Sequence, residues 1–551
     1  MSVRSYKRHT PEGPWDAIVI GSGIGGLTAA SLLSRRAKQR VLVLERHYTT
    51  GGYTHVFKRP GYEWDVGIHY VGDADGGVGA IIDEVTGGLA KWAPLPDCYD
   101  RIVFSDQSYD MVRGHEAFID TLAKQFPGGR ESIEGYIDIV RKTAKLAPAH
   151  FAARQFQGTV TGPIGSAVSA QFFQYSDRTV EEALRPVVRD PRLFDVLTGQ
   201  WGDYGLSPRH ASFAIHAMTG NHFLGGGFYP VGGPGVLADG AAEVISDAGG
   251  ELFTNADVEG VLLEGGHAVG VTMADGKTFR APVVISDAGV PITLNRLLPR
   301  EVAEKTGLLS GVKRIGPSSA HLCLHLGFKK SDEELGLTGT NLWVYADGDR
   351  EEAVRRFTAD PEADLPLTFI SFPSAKDPSW SERYPNKSTV EVITLVPMKW
   401  FEQWAGTRWM KRGSDYDDFK ERMTQRLLEK LFEQCPQLRG EVDHCELSTP
   451  LTTAHFAAHP DGEMYGLTHT PARFRLPLRA RTTVPGLYLT GADIATAGVA
   501  GAVIGGVLTV GTLIHDRWPS LLRTRFGGRR GFSVAPGRGQ PSAPPPRASA
   551  R

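Results

Sequence analysis

Two short apolar runs stand close together near the start of the chain, Trp15–Ile20 (WDAIVI) and Val41–Glu45 (VLVLE). Both are strand-length, and both predict strands buried on two faces. Between them Gly21 to Gly26 predict a turn, and Leu27 to Lys38 follow a helical pattern. Together they predict a β-α-β unit of about 30 residues. Residues 49–72 are rich in glycine and aromatic residues without a clear period, which predicts a functional loop. Residues 80–225 mix helical stretches with aromatic clusters such as Gln171–Ser176 and Asn221–Pro230. Ordinary core packing accounts for those clusters; the wall of an apolar pocket is the competing reading.

Farther along, Gly232–Phe253 predicts a turn, a helix and a strand. Val258–Gly289 predicts strands joined by glycine turns, and residues 300–460 a second mixed α/β region. Leu487–Ile514 is apolar, but it is glycine-rich and contains Asp493. A membrane span wants about 20 mostly apolar residues and is penalised by a central carboxylate, so a strand, a turn and a buried helix are expected instead. From Trp518 the chain turns to Arg, Gly, Pro, Ala and Ser, which predicts a disordered tail over 518–551. Met1–Thr10 is basic without an apolar core and reads as a frayed arm rather than a secretory signal.

Composition narrows the function classes. Lys plus Arg number 60 against 62 Asp plus Glu, so no global field favours nucleic acid. The four cysteines (Cys98, Cys323, Cys435, Cys445) form no C-x-x-C pair and no zinc spacing with histidine. Reduced, mostly buried thiols in a cytoplasmic protein are expected, with no metal.

The candidate chemistry begins at Gly21, Gly23 and Gly26, a G-x-G-x-x-G in the context a dinucleotide fingerprint requires: after an apolar strand and at the start of a helix. Gly21 supplies the tight turn, Gly23 the close backbone approach to a pyrophosphate, and Gly26 the close helix packing. The helix N-terminus presents its free N–H groups to the phosphates. Glu45 ends the second strand, where an acid accepts hydrogen bonds from an adenosine ribose diol and repels a 2′-phosphate. A nicotinamide dehydrogenase shares all of these features. The later motifs separate the two: Gly51–Gly52, then WDVGIHYVG from Trp64 to Gly72, and at the other end LYLTGAD followed by the glycine-rich GAVIGG.

On those motifs the chain resembles the phytoene desaturase-like flavoproteins, most closely their retinol saturase branch, from about Trp15 to about Ile514. GIHYVG at Gly67–Gly72 and STPLTTAHFAAHPDGEMYG at Ser448–Gly466 carry the finer resemblance. It implies an α/β fold: a discontinuous FAD-binding Rossmann-like domain (14–80, 229–298 and 461–517) with an interleaved α+β substrate domain (81–228 and 299–460). Arg46 and Gly52 are then expected along the pyrophosphate, Val258 at the adenine, Gly491 and Asp493 at the ribityl–pyrophosphate end, and the helix near Val499 aimed at the flavin ring. The implied activity is FAD-dependent saturation of a carbon–carbon double bond in a polyene lipid such as a retinoid. A carotenoid desaturase or isomerase is the first alternative, and a non-catalytic lipid-binding flavoprotein the second; an amine oxidase is more distant. His69 and Tyr70 are the candidate proton donors, against a reading of both as packed residues that fix the loop. Asp65 is expected to anchor that loop through backbone N–H groups. No second dinucleotide fingerprint is evident, so the electron donor is unidentified. A polyene partitions into lipid, so peripheral membrane contact is expected, with no amphipathic helix singled out for it.

Overall fold

A computed structural model of the chain describes residues 2–155 and 162–514. Its framework is a six-stranded parallel sheet in the order Val3–Ser5, Glu251–Thr254, Val41–Leu44, Ala17–Ile20, Val284–Ser286 and Leu487–Leu489. Val41–Leu44, Ala17–Ile20 and Val284–Ser286 are buried along their whole length, which is why these stretches do not alternate between apolar and polar residues. The two strands foreseen from the first apolar runs pair in register, Ala17 with Val41 and Ile20 with Leu44. Helix α1 (Ile24–Ala37) begins three residues before the predicted Leu27, because the glycine turn itself winds into the first helical turn. Arg35 and Arg36 sit in its last turn, where cations complement the helix dipole.

The amino-terminal arm corrects an expectation. Val3–Ser5 is not frayed; it pairs in parallel with Leu252–Thr254 and forms one edge of the sheet. The predicted disordered tail, 518–551, lies outside the described residues. The apolar stretch Leu487–Ile514 divides as expected into the strand Leu487–Leu489 and helix α2 (Gly498–Leu513). Among the described residues no helix is long and apolar enough to cross a membrane.

Helices α1 and α2 pack on each other with almost no side chain between them. A Cβ on Gly506 would come within 2.7 Å of the Gly25 carbonyl, and one on Gly25 within 2.5 Å of the Gly491 Cα. The glycines of the last apolar stretch are there for that contact.

A second sheet of seven strands has the order Val442–Ser448, Ala320–Phe328, Ser388–Val396, Leu367–Ser371, Asn341–Tyr345, Cys98–Val103 and Ser108–Val112. It is antiparallel except between Asn341–Tyr345 and Cys98–Val103. Register places residues in rows across it. Cys323 pairs with Ile393, Ile393 with Phe369, Phe369 with Trp343, and Trp343 with Ile102. Two positions along, His325 pairs with Glu391 and Glu391 with Ser371, while Asn341 pairs with Asp100. Side chains two apart share a face, so an apolar row and a polar row lie side by side. Of the four cysteines, Cys323 and Cys435 are buried and Cys445 is exposed.

Candidate active site

One cavity of about 1230 Å³ touches both sheets. Single small-molecule pockets run from roughly 300 to 1,000 Å³, so this space exceeds what one small ligand needs. Of the residues singled out in the sequence, Gly21, Gly23, Glu45, Arg46, Gly52, His69, Val258, Gly491, Asp493 and Val499 line it. Gly26 and Tyr70 stand behind the wall.

At one end the backbone forms a cradle. The Gly51 amide donates to the Ser22 carbonyl at 3.1 Å, which lays the Gly51–Gly52 pair against the first turn. Gly52 has φ +56°, and a Cβ there would sit 3.0 Å from the Gly23 Cα. Gly491 closes the cradle from the third segment of the sheet, and α2 points its N-terminus, with Gly498 and Val499, at the same space. The Asp493 carboxylate accepts from the amides of Val290 (2.8 Å) and Leu467 (3.0 Å) and so splices three segments together.

Glu45 accepts from the Ser22 amide and hydroxyl at 2.8 and 2.7 Å and from the His47 amide at 2.7 Å. A carboxylate has about four lone-pair sites, which leaves one for a ribose hydroxyl. Arg46 donates its guanidinium to the His455 and Phe456 carbonyls while lining the cavity. Val258 lines it with Ala256 and Asp257, and its carbonyl accepts from Arg296 at 3.2 Å. This donor and acceptor set, with side-chain-free backbone between, fits FAD.

Sequence reasoning passed over Asp287, at the end of the Val284–Ser286 strand. Its Oδ2 would be 2.5 Å from a Cβ on Gly23, and its carboxyl accepts from the Gly26 amide at the head of α1. One N–H group expected to face a phosphate is therefore already taken. Burial pushes the Asp287 carboxyl up to about 7, and Glu45 and Asp493 push in the same direction.

At the other end the walls are apolar: Trp343, Leu367, Phe369, Ile393 and Leu395. His69 meets them there. Its Nδ1 lies 3.0 Å from Glu391 Oε2, and His325 Nδ1 lies 3.1 Å from Oε1 of the same carboxylate. Burial alone raises the Glu391 carboxyl, but the two imidazoles outweigh it and hold the group below the ordinary carboxylate range. Donor atoms of Cys323, His325 and Glu391 lie within 4.8 Å of one another, as do those of Asp65, His69 and Glu391. Both Glu391 oxygens are satisfied by imidazole, so the group is a closed hydrogen-bonded set.

Tyr70 is placed differently from His69. Its hydroxyl donates to Asp100 at 2.8 Å and lies 3.1 Å from an Asp203 carboxyl oxygen, and its ring stacks on Phe223 with centroids 4.4 Å apart. Asp203 lines the cavity, and burial together with Asp100 holds its carboxyl well above the usual range. Asp65 anchors the loop through the Tyr229 hydroxyl at 2.6 Å rather than through backbone amides. Lys376 is buried beneath the loop and donates to the His69 carbonyl at 2.9 Å, Ser371 Oγ at 2.7 Å and Asn341 Oδ1. Its desolvation lowers it to about 8.

Two predictions follow from the cradle. Glu45→Ala removes an acceptor for charge-assisted bonds, so FAD retention is expected to weaken about ten- to hundredfold; unchanged retention in a fluorescence titration of apoprotein removes the ribose assignment. Asp287 is protonated in the folded chain at pH values where an unfolded carboxyl is ionised. Folding stability therefore falls between pH 3.8 and about 7, where the unfolded carboxyl is ionised and the folded one still holds its proton, and as pH rises through about 7 the Asp287 charge appears in the cradle. FAD affinity is expected to fall as that charge appears and to become flat in Asp287→Asn; a wild-type affinity independent of pH contradicts the placement.

The chain is 36% identical to all-trans-retinol 13,14-reductase of Homo sapiens over 519 residues, covering 90% of this chain and 84% of that protein. It is 27% identical to chloroplastic prolycopene isomerase of Arabidopsis thaliana, covering 89% of this chain and 81% of that one. The solved structure of putrescine oxidase bound to putrescine shares the fold, with a TM-score of 0.59 at 16% identity over 92% of this chain and 100% of the other. The sequence profile of the flavin containing amine oxidoreductases matches residues 24–514, and the chain belongs to that family.

Proposed function

We propose that the protein is an FAD-dependent oxidoreductase that saturates a carbon–carbon double bond of a retinoid-like polyene. The observation that carries this reading is the continuity of one cavity from the glycine cradle to an apolar chamber, with His69 at the chamber wall. The identity to a retinol reductase supports the same substrate class.

Bound FAD supplies hydride transfer. The chain's own residues do the rest. Gly21–Gly26, Glu45 and Gly491 hold the dinucleotide. Trp343, Phe369, Leu367, Ile393 and Leu395 hold the polyene and exclude water. Saturation also needs a proton on the second carbon. His69 is suited to deliver it: Glu391 fixes the ring through Nδ1, leaving Nε2 as the ring nitrogen that Glu391 does not engage. Tyr70, tied to two carboxyls behind the wall, fixes the loop. A polyene dissolves in lipid rather than water, which makes peripheral contact with a membrane part of the same reading.

The test is anaerobic mixing of dithionite-reduced protein with all-trans-retinol. Flavin reoxidation together with loss of polyene absorbance is the expected result. Reaction by the oxidised protein alone would identify a desaturase, and cis/trans change without loss of conjugation an isomerase such as the 27%-identical relative. His69→Gln is expected to slow flavin reoxidation by the polyene about a hundredfold or more while the bound-flavin spectrum is retained. An unslowed variant removes His69 from proton delivery.

A further inference from the structure

Large apolar side chains that stay exposed among the described residues are Tyr48 (58%), Leu89 (52%), Trp409 (40%) and Met410 (79%). Three of these four come together. Tyr48 and Trp409 both pack edge-on against Phe456, with centroids 6.2 and 5.2 Å away, and Trp409 stacks on His455. All three also lie on the rim of the site cavity. Trp409 and Met410 form the tip of a tight turn closed by the Lys411 amide on the Arg408 carbonyl at 2.9 Å. Met410 has φ +60°, a left-handed conformation that costs a long side chain energy. The folded chain gains little burial in return for projecting these groups.

The charges beside the tip point to what covers it. Arg408 and Lys411 flank the apolar pair, both exposed, and neither enters an ion pair or side-chain hydrogen bond in the described structure. Arg412, next along, is spent on the Trp404 and Thr407 carbonyls. The nearest following acid, Asp415, accepts from Trp404 Nε1 at 2.8 Å. An aromatic and a flexible apolar side chain between unpaired cations suits the boundary between lipid headgroups and acyl chains, where tryptophan collects and anionic phosphates meet Lys and Arg. A second protein surface would more commonly offer the cations carboxylate partners and bury a broader patch.

We propose that the Arg408–Lys411 turn, with Tyr48 and Phe456 behind it, docks on an anionic lipid bilayer. Trp409 and Met410 enter the headgroup–acyl boundary, and Arg408 and Lys411 meet lipid phosphates. The cavity rim is thereby set against the phase in which a polyene is dissolved. The substrate side of this inference rests on the reductase reading; the docking does not.

The experiment uses the full-length FAD-bound protein. Its co-sedimentation with vesicles of equimolar phosphatidylcholine and phosphatidylglycerol is compared with vesicles of phosphatidylcholine alone. Wild type is expected to bind the anionic vesicles more strongly and to release at high salt. The double variant Trp409→Ser with Met410→Ser is expected to lose about tenfold or more in vesicle partitioning, at unchanged flavin content and unfolding midpoint. Arg408→Glu with Lys411→Glu is expected to remove the preference for anionic lipid. Equal partitioning of wild type and the Ser variant overturns the proposal. So does absence of wild-type binding, or a change of oligomeric mass in the Ser variant with vesicle binding retained, which would assign the tip to a second copy of the chain. Turnover of detergent-dispersed all-trans-retinol is measured alongside: turnover without vesicle binding overturns docking alone, and binding without turnover overturns the reductase reading alone.

Discussion

Backbone-to-backbone contact at one point holds the nucleotide half together. The turn from Gly21 to Gly26 and the segment from Gly491 into α2 close around the buried Asp287 side chain at distances that leave no room for another. A Cβ on Gly505 would come within 2.2 Å of the Gly491 carbonyl, and one on Gly26 within 2.7 Å of the Gly21 carbonyl. Such contact lets two helix N-termini converge on the same space, so their partial positive charges act on one ligand. It also leaves little room for adjustment: interiors are packed at crystal-like density, and one added methyl has to displace main chain. The parallel sheet supports that junction by delivering every strand with its C-terminal end toward it.

The second sheet faces a different problem. It floors an apolar chamber, yet it carries His325, Glu391, Ser371, Asn341 and Asp100 in its interior. Unpaired polar groups there would be costly. The structure answers with connection: Glu391 serves two imidazoles, Lys376 joins Asn341, Ser371 and the His69 carbonyl, and Asp100 accepts from Tyr70, Gln200 and Asn341. The loop from Asp65 to Tyr70 is thus fastened along a polar seam beside the apolar one. A loop held this way presents His69 in a defined orientation without a rigid element of its own.

Much of this was legible in the sequence. The first β-α-β unit announced itself through strand, turn and helix patterning, and the flavin reading came from resemblance at the two chain ends; the family match bears it out. What stayed hidden depends on pairing between distant segments. Glu391 is a lone acid in TVEVITLV, and nothing in its spacing says that it lies between His325 and the loop carrying His69. A partial signal existed in AHLCLHLGF, where period two places His321, Cys323 and His325 on one face of a strand otherwise made for burial. Asp287 closes a strand that was recognised, but a single acid at a strand end carries no motif. The arm at Val3–Ser5 was missed because three residues are too few to show a period; its partner strand lies some 250 positions away.

The sheet order has a consequence for how the protein is made. The strand that begins at Ala17 is flanked by Val41–Leu44 and Val284–Ser286, and the strand closing the far edge ends at Leu489. Contacts of such long range form slowly, because loop closure precedes any reward from pairing. On a ribosome adding about 5–20 residues per second, an interval on the order of a minute separates the first strand from the last. Until Glu251–Thr254 and Val284–Ser286 are made, the early unit has strand edges without partners, and until Gly491 its glycine turn lacks a third wall. A chain cut short before Leu487 is therefore left with an open apolar edge on Val284–Ser286 and with the cradle unclosed.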